Sequence, residues 1–213
     1  LTLGLTVGAQ TLGANMDVIM LGMMRNEVEV GIYKVALNSG GVLGFGLQAI
    51  NMVLFSRIAQ LYHRGEIEEI RNLVRVAARI ALLATVPILA LLLIYGQWLI
   101  TIVFGSEYET AYVTVIIIGT GQFVSVMFGS VLLVVNMTGN EKFALRGTIG
   151  FALLNIVLNA VLIPIAGRDG AAIATAVSLA ALNFYLWFIA WRRAGINTLA
   201  FGPVEPKGRK DIL

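Results

Sequence analysis

Residues 110–140, TAYVTVIIIGTGQFVSVMFGSVLLVVNMTGN, contain no charged side chain. A helix needs about 20 consecutive, largely apolar residues to cross the hydrocarbon core of a bilayer, and this run exceeds that length. It is too uniformly apolar for the alternating strands of a membrane barrel. The whole chain agrees, because 58% of its 213 residues are hydrophobic and only 13% are charged. Soluble domains carry about 25% charged residues. We therefore expect an all-α polytopic membrane protein.

Five further apolar stretches flank this run. Together they predict one six-helix transmembrane bundle over residues 1–195, with spans at roughly 1–24, 30–60, 76–96, 108–136, 143–166 and 170–192. Only a tight turn at Arg168-Asp169-Gly170 fits between the last two spans, so they should form an antiparallel hairpin. The chain begins inside an apolar stretch and without an initiator Met, which suggests a piece of a longer protein.

The orientation of the bundle follows from its Lys and Arg residues, which collect on the cytoplasmic side of membrane proteins. Six spans place three of the 15 basic residues on one side, namely Arg25, Lys34 and Arg168. The other side receives twelve: Arg57, Arg64, Arg71, Arg75, Arg79, Lys142, Arg146, Arg192, Arg193, Lys207, Arg209 and Lys210. We expect both ends of the chain to be cytoplasmic, residues 196–213 to form a mobile cytoplasmic tail, and the charge of +3 to reflect topology rather than a nucleic-acid partner.

A basic stripe precedes the third span. Arg71, Arg75 and Arg79 are four residues apart, so they share one face of a predicted amphipathic cytoplasmic helix over residues 66–79. Such a helix lies in the headgroup layer and attracts anionic phosphates. One interpretation is a plain topology anchor for membrane lipids. The other is contact with the phosphate of a lipid-linked substrate.

Uncharged amides recur at membrane depth. Gln48 and Asn51 are three residues apart, Asn155 and Asn159 are four apart, and Gln122 lies in the fourth span. Amides are costly against lipid, so these side chains should face the bundle or a hydrated cavity. They can serve as interhelical hydrogen bonds or line a path for a polar substrate, and the sequence leaves both open.

Asp17 is the one acidic residue in the interior of a predicted span, since Glu109 lies at the very start of the fourth, and an ionisable group at that depth suggests function. It can be a proton or cation site for ion coupling, with Asn15 adding a neutral oxygen ligand. The alternative is a structural carboxylate that reaches water at the outer end of the first helix or pairs with Lys34.

Small residues recur at four-residue spacing, as in Gly40 and Gly44, in Gly121, Ser125 and Gly129, and in Gly170, Ala174 and Ser178. In lipid, such residues let helix backbones approach each other closely. Tight helix packing is one interpretation of this pattern. The other is that the glycines let a helix bend during a transport cycle.

Motifs for covalent chemistry are missing from the sequence. The chain has one histidine and no cysteine, so it cannot form a histidine-based zinc site or a thiol nucleophile. The segment GGVLGFG lies inside a span, where its amides are committed to the helix. We expect no catalytic residues, no metal site and no cofactor.

Five segments, in order, carry a resemblance to a known family: NMDVIMLG (15–22), EVEVGIYKVA (27–36), IVFGSEYETAY (102–112), VVNMTGNEK (134–142) and GRDGAAIATAVSLAALNFYLW (167–187). Together they resemble the carboxyl-terminal half of polysaccharide-biosynthesis flippases, such as O-antigen flippases. These belong to the multidrug/oligosaccharidyl-lipid/polysaccharide exporter superfamily.

The resemblance implies a fold of two inverted-V helix bundles, with the amino-terminal half of the same protein as partner. It implies that a polyprenyl-diphosphate-linked oligosaccharide moves to the outer leaflet of a bacterial or archaeal plasma membrane by alternating access. The resemblance implies that Asp17 and Arg57 contact a coupling ion or the diphosphate. The alternatives are a multidrug or cation-coupled exporter of the same superfamily and a membrane enzyme of glycan assembly.

Overall fold

Helices make up almost all of residues 16–201, the part of the chain that the computed structural model describes. Residues 16–24 are helical (α1). The later elements are α2 (Glu27–His63), α3 (Ile67–Phe104), a 3-10 helix (Ser106–Ala111), α4 (Tyr112–Phe128), α5 (Val131–Met137) and α6 (Glu141–Ala194). No strand occurs within this range. Predictions for Asn15, for the rest of residues 1–15 and for residues 202–213 lie outside the described residues.

Within the described residues, four helical stretches are long and apolar enough to cross a membrane: Glu27–His63, Ile67–Phe104, Ser106–Phe128 and Glu141–Ala194. The outer surface is correspondingly apolar. Leu83, Ile94 and Ile165 are each more than 70% exposed, as side chains that face lipid can be. The prediction of an all-α polytopic membrane bundle is confirmed for the described residues.

The last helix, α6, folds back on itself at Gly167. This residue has φ 55° and ψ −133°, a backbone conformation that side chains other than glycine rarely adopt. Two contacts show that the arms before and after it are antiparallel, because Asn155 bonds to Thr175 and a Cβ at Gly147 would touch the Tyr185 ring. The structure thus contains the antiparallel pair that the sequence predicts.

Two elements differ from the sequence expectation. The predicted helix over residues 66–79 begins at Ile67 and forms the first part of α3, which runs on into the third span without a break. The predicted span 108–136 is interrupted at Gly129, where φ is 67° and ψ is −152°, and α5 follows as a short separate helix. Close packing explains the glycine, because a Cβ there would lie 2.8 Å from the Thr198 carbonyl oxygen and 2.9 Å from Cβ of Ala78.

The connections alternate between two ends of the bundle. We call the end with the α1–α2 turn, the 3-10 helix and Gly167 the hairpin end. There the Arg25 guanidinium donates to the carbonyls of Ile163 (3.0 Å) and Pro164 (2.8 Å), and Glu29 accepts from the backbone N–H of Arg168 (3.1 Å). These bonds satisfy groups that the break in α6 frees. The opposite end, with Gly65, Gly139 and Gly195, is the basic end.

Small residues bring the helices together between these ends. A Cβ added at Gly40 would lie 2.9 Å from Cγ2 of Ile118, and one at Gly121 would lie 2.9 Å from Cβ of Ala176. At Gly44 the neighbour is the Gln122 amide, also at 2.9 Å. Distances under 3.0 Å leave no room for a side chain at Gly40 and Gly121, as the packing interpretation predicts, whereas at Gly44 the flexible end of Gln122 can shift.

Candidate functional site

Polar side chains from α2, α4, α5 and α6 line two adjoining cavities of about 190 and 480 Å3. Gln48, Asn51, Leu132 and Leu133 line both, so the two cavities form one feature, which we call the polar groove. Its polar members are Gln48, Asn51, Gln122, Ser125, Ser130, Asn136 and Asn183. Gln48 is exposed, so the groove opens onto the surface of the described bundle.

The local sequence explains why these groups converge. Gln48 and Asn51 share one face of α2, and Gln122 and Ser125 share one face of α4, because residues three apart are neighbours on a helix. Gly44 brings α2 against Gln122. The break at Gly129 ends α4 and starts α5 in a new direction, which adds Asn136 to the wall.

Several polar atoms of the groove have no hydrogen-bond partner. Asn51 Oδ1, Ser130 Oγ and Asn136 Oδ1 are buried and unpaired among the described residues. Leaving a buried polar group unsatisfied costs about 1–3 kcal/mol. Among residues 16–201, no charged side chain lines either cavity. The groove therefore suits an uncharged, hydrogen-bonding ligand that supplies donors to these oxygens.

Gln48, Asn51 and Gln122 are thus brought together as the sequence suggested. Ser125, Ser130, Asn136 and Asn183 join them, although sequence reasoning did not select them as site residues. A usable signal existed for Ser125, which follows Gln122 at the same three-residue spacing as Asn51 follows Gln48. Asn183 bonds to it, with Nδ2 donating to Ser125 Oγ at 3.0 Å.

Asn155 and Asn159 lie elsewhere, in a second polar group that we call the carboxylate network: Asp17, Tyr33, Asn155, Asn159 and Thr175. The Tyr33 hydroxyl donates to Asp17 Oδ2 at 2.5 Å, and the Thr175 hydroxyl donates to the same oxygen at 3.2 Å. Asn155 Nδ2 donates to Thr175 Oγ1 at 3.1 Å. Asn159 Nδ2 donates to Asn155 Oδ1 at 2.9 Å. The network joins α1, α2 and both arms of α6.

The surroundings of Asp17 differ from both structural alternatives considered for it. Its side chain is 2% exposed, so it does not reach water. Lys34 is exposed, and Asp17 makes no ion pair among the described residues. Tyr33 and Thr175 donate hydrogen bonds to Asp17 instead. Both are uncharged, and no regular spacing in the sequence identifies them as partners of Asp17.

Arg57 is exposed and is absent from the lining of the groove. Nine residues separate it from Gln48, which is about two and a half helical turns. Its side chain therefore leaves the opposite side of α2, and the structure does not bring it together with the amides.

The basic stripe contacts the chain that follows α6. Arg71 Nε donates to the Gly195 carbonyl (2.8 Å), and its guanidinium pairs with Glu68 (2.7 Å). Arg79 Nε donates to the Ala200 carbonyl (3.1 Å). Arg75 is only 4% exposed, and its Nε is without a partner in the described residues.

Residues 195–201, the C-terminal strap, pack against the bundle. Ile196, Thr198 and Ala200 are buried, and the Ala200 N–H donates to the Met127 carbonyl at 3.2 Å. Trp187 holds the strap from α6, because its indole N–H donates to Asn197 Oδ1 at 3.0 Å. The structure therefore shows ordered packing where the sequence suggested a mobile tail.

A model of the family described as "Polysaccharide biosynthesis protein" matches residues 4–113, just over half of the 213-residue chain. The chain belongs to this family. The family prediction made from the sequence segments is confirmed. The match covers α1, α2, α3 and the first residues of α4, and so it includes Asp17 and the α2 wall of the groove.

A curated relative carries the name "Probable low-salt glycan biosynthesis flippase Agl15" and comes from Haloferax volcanii. The two sequences are 32% identical over 168 residues, which is 78% of this chain and 35% of the relative. The chain thus spans about a third of the length of that protein.

The fold is similar to the outward-facing conformation of a multidrug resistance MATE family transporter of the MOP superfamily. The TM-score is 0.75 at 20% sequence identity, and the match covers 95% of this chain and 46% of the transporter. At this identity the likeness concerns the fold alone. The chain corresponds in extent to about half of a polytopic membrane transporter.

Proposed function

We propose that the chain is one half of a transporter that moves a polyprenyl-diphosphate-linked oligosaccharide from the cytoplasmic to the outer leaflet by alternating access. The observation that carries this proposal is the polar groove, an amide-lined and uncharged path at membrane depth. Its unpaired oxygens match the hydroxyl donors of a sugar. Family membership and the name of the Haloferax relative support a glycan substrate.

The geometry of the polar groove suits the movement of a polar headgroup across the membrane. A headgroup of sugars and phosphates cannot cross hydrocarbon unaided, because each buried charge costs at least several kcal/mol. Amides of the groove replace water around the sugars, while the prenyl tail stays in lipid. Transporters of related architecture place such sites at the interface between two halves. The amino-terminal half of the same protein would then supply the facing wall.

The basic end supplies positive charges that complement the negative charges of the diphosphate. We place this end on the cytoplasmic side, and with it both chain ends as the sequence predicts, because most of the basic residues within 16–201 lie toward it. Arg71 and Arg79 then lie at headgroup depth, where phosphates of membrane lipids or of the substrate reach them. Arg75 is buried behind them, and the exposed Arg57 faces away from the groove. The lipid-linked unit is of the O-antigen type or a similar surface glycan.

The proposed role of the groove is tested by replacing one of its amide side chains in the full-length protein. Asn51→Ala removes a groove oxygen without burdening the fold, because Asn51 Oδ1 has no partner to lose. Loss of about 1.4 kcal/mol of substrate binding lowers affinity about tenfold. We expect surface glycan to fall and lipid-linked intermediates to accumulate in the inner leaflet, measured by glycan staining and by lipid extraction.

The matched control is Asn72→Ala, an exposed amide on α3 outside the groove, which should leave surface glycan at the wild-type amount. Equal protein abundance is checked by immunoblot. Wild-type surface glycan in Asn51→Ala and in the paired Gln122→Ala variant contradicts the proposal.

A multidrug or cation-coupled exporter is the second candidate, because the fold is similar to that of a multidrug transporter. Export of organic cations calls for an acidic wall, whereas the groove side chains within residues 16–201 are all neutral. A membrane enzyme of glycan assembly has less support still, since it needs catalytic side chains at the substrate site.

A further inference from the structure

A further cavity, of about 350 Å3, lies between the two arms of α6, and we call it the arm slot. Its walls are mostly apolar, with Phe151 and Leu154 on the first arm and Leu182 on the second. Arg146 is the one charged side chain among its described lining residues. Within residues 16–201, the slot shares only Leu182 with the polar groove. The proposed glycan path therefore makes no use of it.

The arm slot extends from the basic end toward the middle of the bundle. Arg146 lies five residues after Glu141, where α6 begins at the basic end, and Leu154 lies eight residues further along the first arm. Eight residues of helix are about 12 Å long. A Cβ added at Gly150 would meet nothing within 4 Å, so the slot is open along its middle. A narrow apolar slot of this length can take part of a lipid acyl chain.

Two arginines gather at the mouth of the slot, on either arm. Cζ of Arg146 lies 5.5 Å from the centroid of the Phe143 ring, and Cζ of Arg193 lies 4.1 Å from the same centroid. Both arginines are exposed, and neither forms an ion pair with an acidic residue within 16–201. Like charges that share one ring repel each other, and an anion beside them offsets that repulsion. Guanidinium groups match the geometry of phosphate oxygens particularly well.

We propose that the arm slot binds one anionic phospholipid, whose phosphate contacts Arg146 and Arg193 while one acyl chain lies between Phe151 and Leu182. Outside the slot the same chain would lie in the bilayer, so the apolar walls supply fit rather than a large gain in free energy. The arginines supply the preference for an anionic lipid, because they lie at the end of the helices where headgroups are found. The site goes beyond the proposed glycan path and holds for either orientation of the bundle.

The test is the thermal stability of the purified, delipidated full-length protein in a neutral detergent, at constant ionic strength. The added lipids are phosphatidylglycerol and phosphatidylcholine with the same acyl chains. A ligand that binds the folded state stabilises it, so phosphatidylglycerol should raise Tm by roughly 2–6 °C more than phosphatidylcholine does. Inorganic phosphate alone should give no shift, because it lacks the chain that the slot holds.

Gly150→Leu fills the slot with a side chain that has room there, and it should abolish the difference between the two lipids. The matched control is Gly46→Leu on α2, where an added Cβ also meets nothing within 4 Å and which lies outside the slot, so the full difference should remain. Each variant is compared with and without lipid, which removes the effect of the leucine itself on helix stability.

A second pair of variants changes only exposed side chains, so it keeps the test decisive if Gly150→Leu does not fold. Replacing both Arg146 and Arg193 by Gln should raise the phosphatidylglycerol concentration needed about tenfold. Arg64→Gln removes one exposed charge at the same end of the bundle and should leave that concentration unchanged.

Four results would overturn the proposal: equal stabilisation by both phospholipids, a lipid preference that survives Gly150→Leu or the double arginine variant, an equal shift with inorganic phosphate, or stabilisation by undecaprenyl phosphate in place of phosphatidylglycerol. The last result would assign the slot to a prenyl chain. Because glycan transport is not measured, the outcome is independent of the polar groove.

Discussion

The polar groove and the carboxylate network both contain amide side chains inside the bundle, yet their hydrogen bonds differ. In the groove, Asn51 and Asn136 each leave an amide oxygen unpaired beside an open cavity. In the network, Asn155 uses both ends of its amide, toward Thr175 and Asn159. Asn155 thereby links the two arms of α6, whereas Asn51 and Asn136 retain acceptors that a ligand can use.

The Asn155→Leu variant is the strongest test of this difference in hydrogen bonding. The change removes the bond to Thr175 and leaves Asn159 Nδ2 without its acceptor, so the free energy of unfolding should fall by about 3 kcal/mol. Unfolding by sodium dodecyl sulfate in mixed micelles measures this value. A loss no larger than that of Asn51→Leu, where the amide oxygen has no partner, would show that the two regions do not differ.

A smaller loss is expected for Tyr33→Phe, which removes one hydrogen bond to Asp17 while preserving the ring packing of Tyr33 in the core. Hydrogen bonds to charged groups contribute about 1.5–3 kcal/mol, so the free energy of unfolding should fall within that range. The same detergent titration measures it. Tyr112→Phe is the control, because the Tyr112 hydroxyl bonds to the Leu93 carbonyl on an exposed surface. An equal loss in both variants would contradict a special role for the buried pair.

The smallest effect on stability is expected for Asn136→Leu in the groove. Its oxygen has no protein partner, so the free energy of unfolding should change by less than about 0.5 kcal/mol, while surface glycan falls as for Asn51→Ala. Stability and glycan are measured on the same preparation. If the free energy of unfolding falls while the amount of surface glycan per transporter molecule stays at the wild-type value, Asn136 has a role in packing and not in substrate binding.

Most of the helices were predictable, because apolar length alone decides whether a segment can cross a bilayer. The break in α6 was also predictable from the tight spacing around Arg168, and the structure has it at Gly167. The break at Gly129 was not, since it depends on how closely Ala78 and Thr198 approach that residue. Residues 195–201 pack for a similar reason, through Arg79 on the distant helix α3, and also through Trp187 on the preceding helix α6.

The candidate site was predictable in part. Periodicity placed Gln48 with Asn51, and Asn155 with Asn159, because each pair lies on one helix. It could not show that the first pair meets Gln122 in a cavity while the second pair meets Thr175 and Asp17. Tyr33 and Thr175 were missed because an uncharged hydroxyl among apolar residues has no sequence signature of its role.

By itself, the amino-acid sequence determined the family and the apolar, all-helical character of the chain, since these depend on composition and local order summed along one chain. Tertiary structure alone decided which amides are paired and which are free. Hydrogen bonding between helices requires atoms within about 3.5 Å, and residues as far apart in sequence as Asp17 and Thr175 reach that distance only when the bundle is packed.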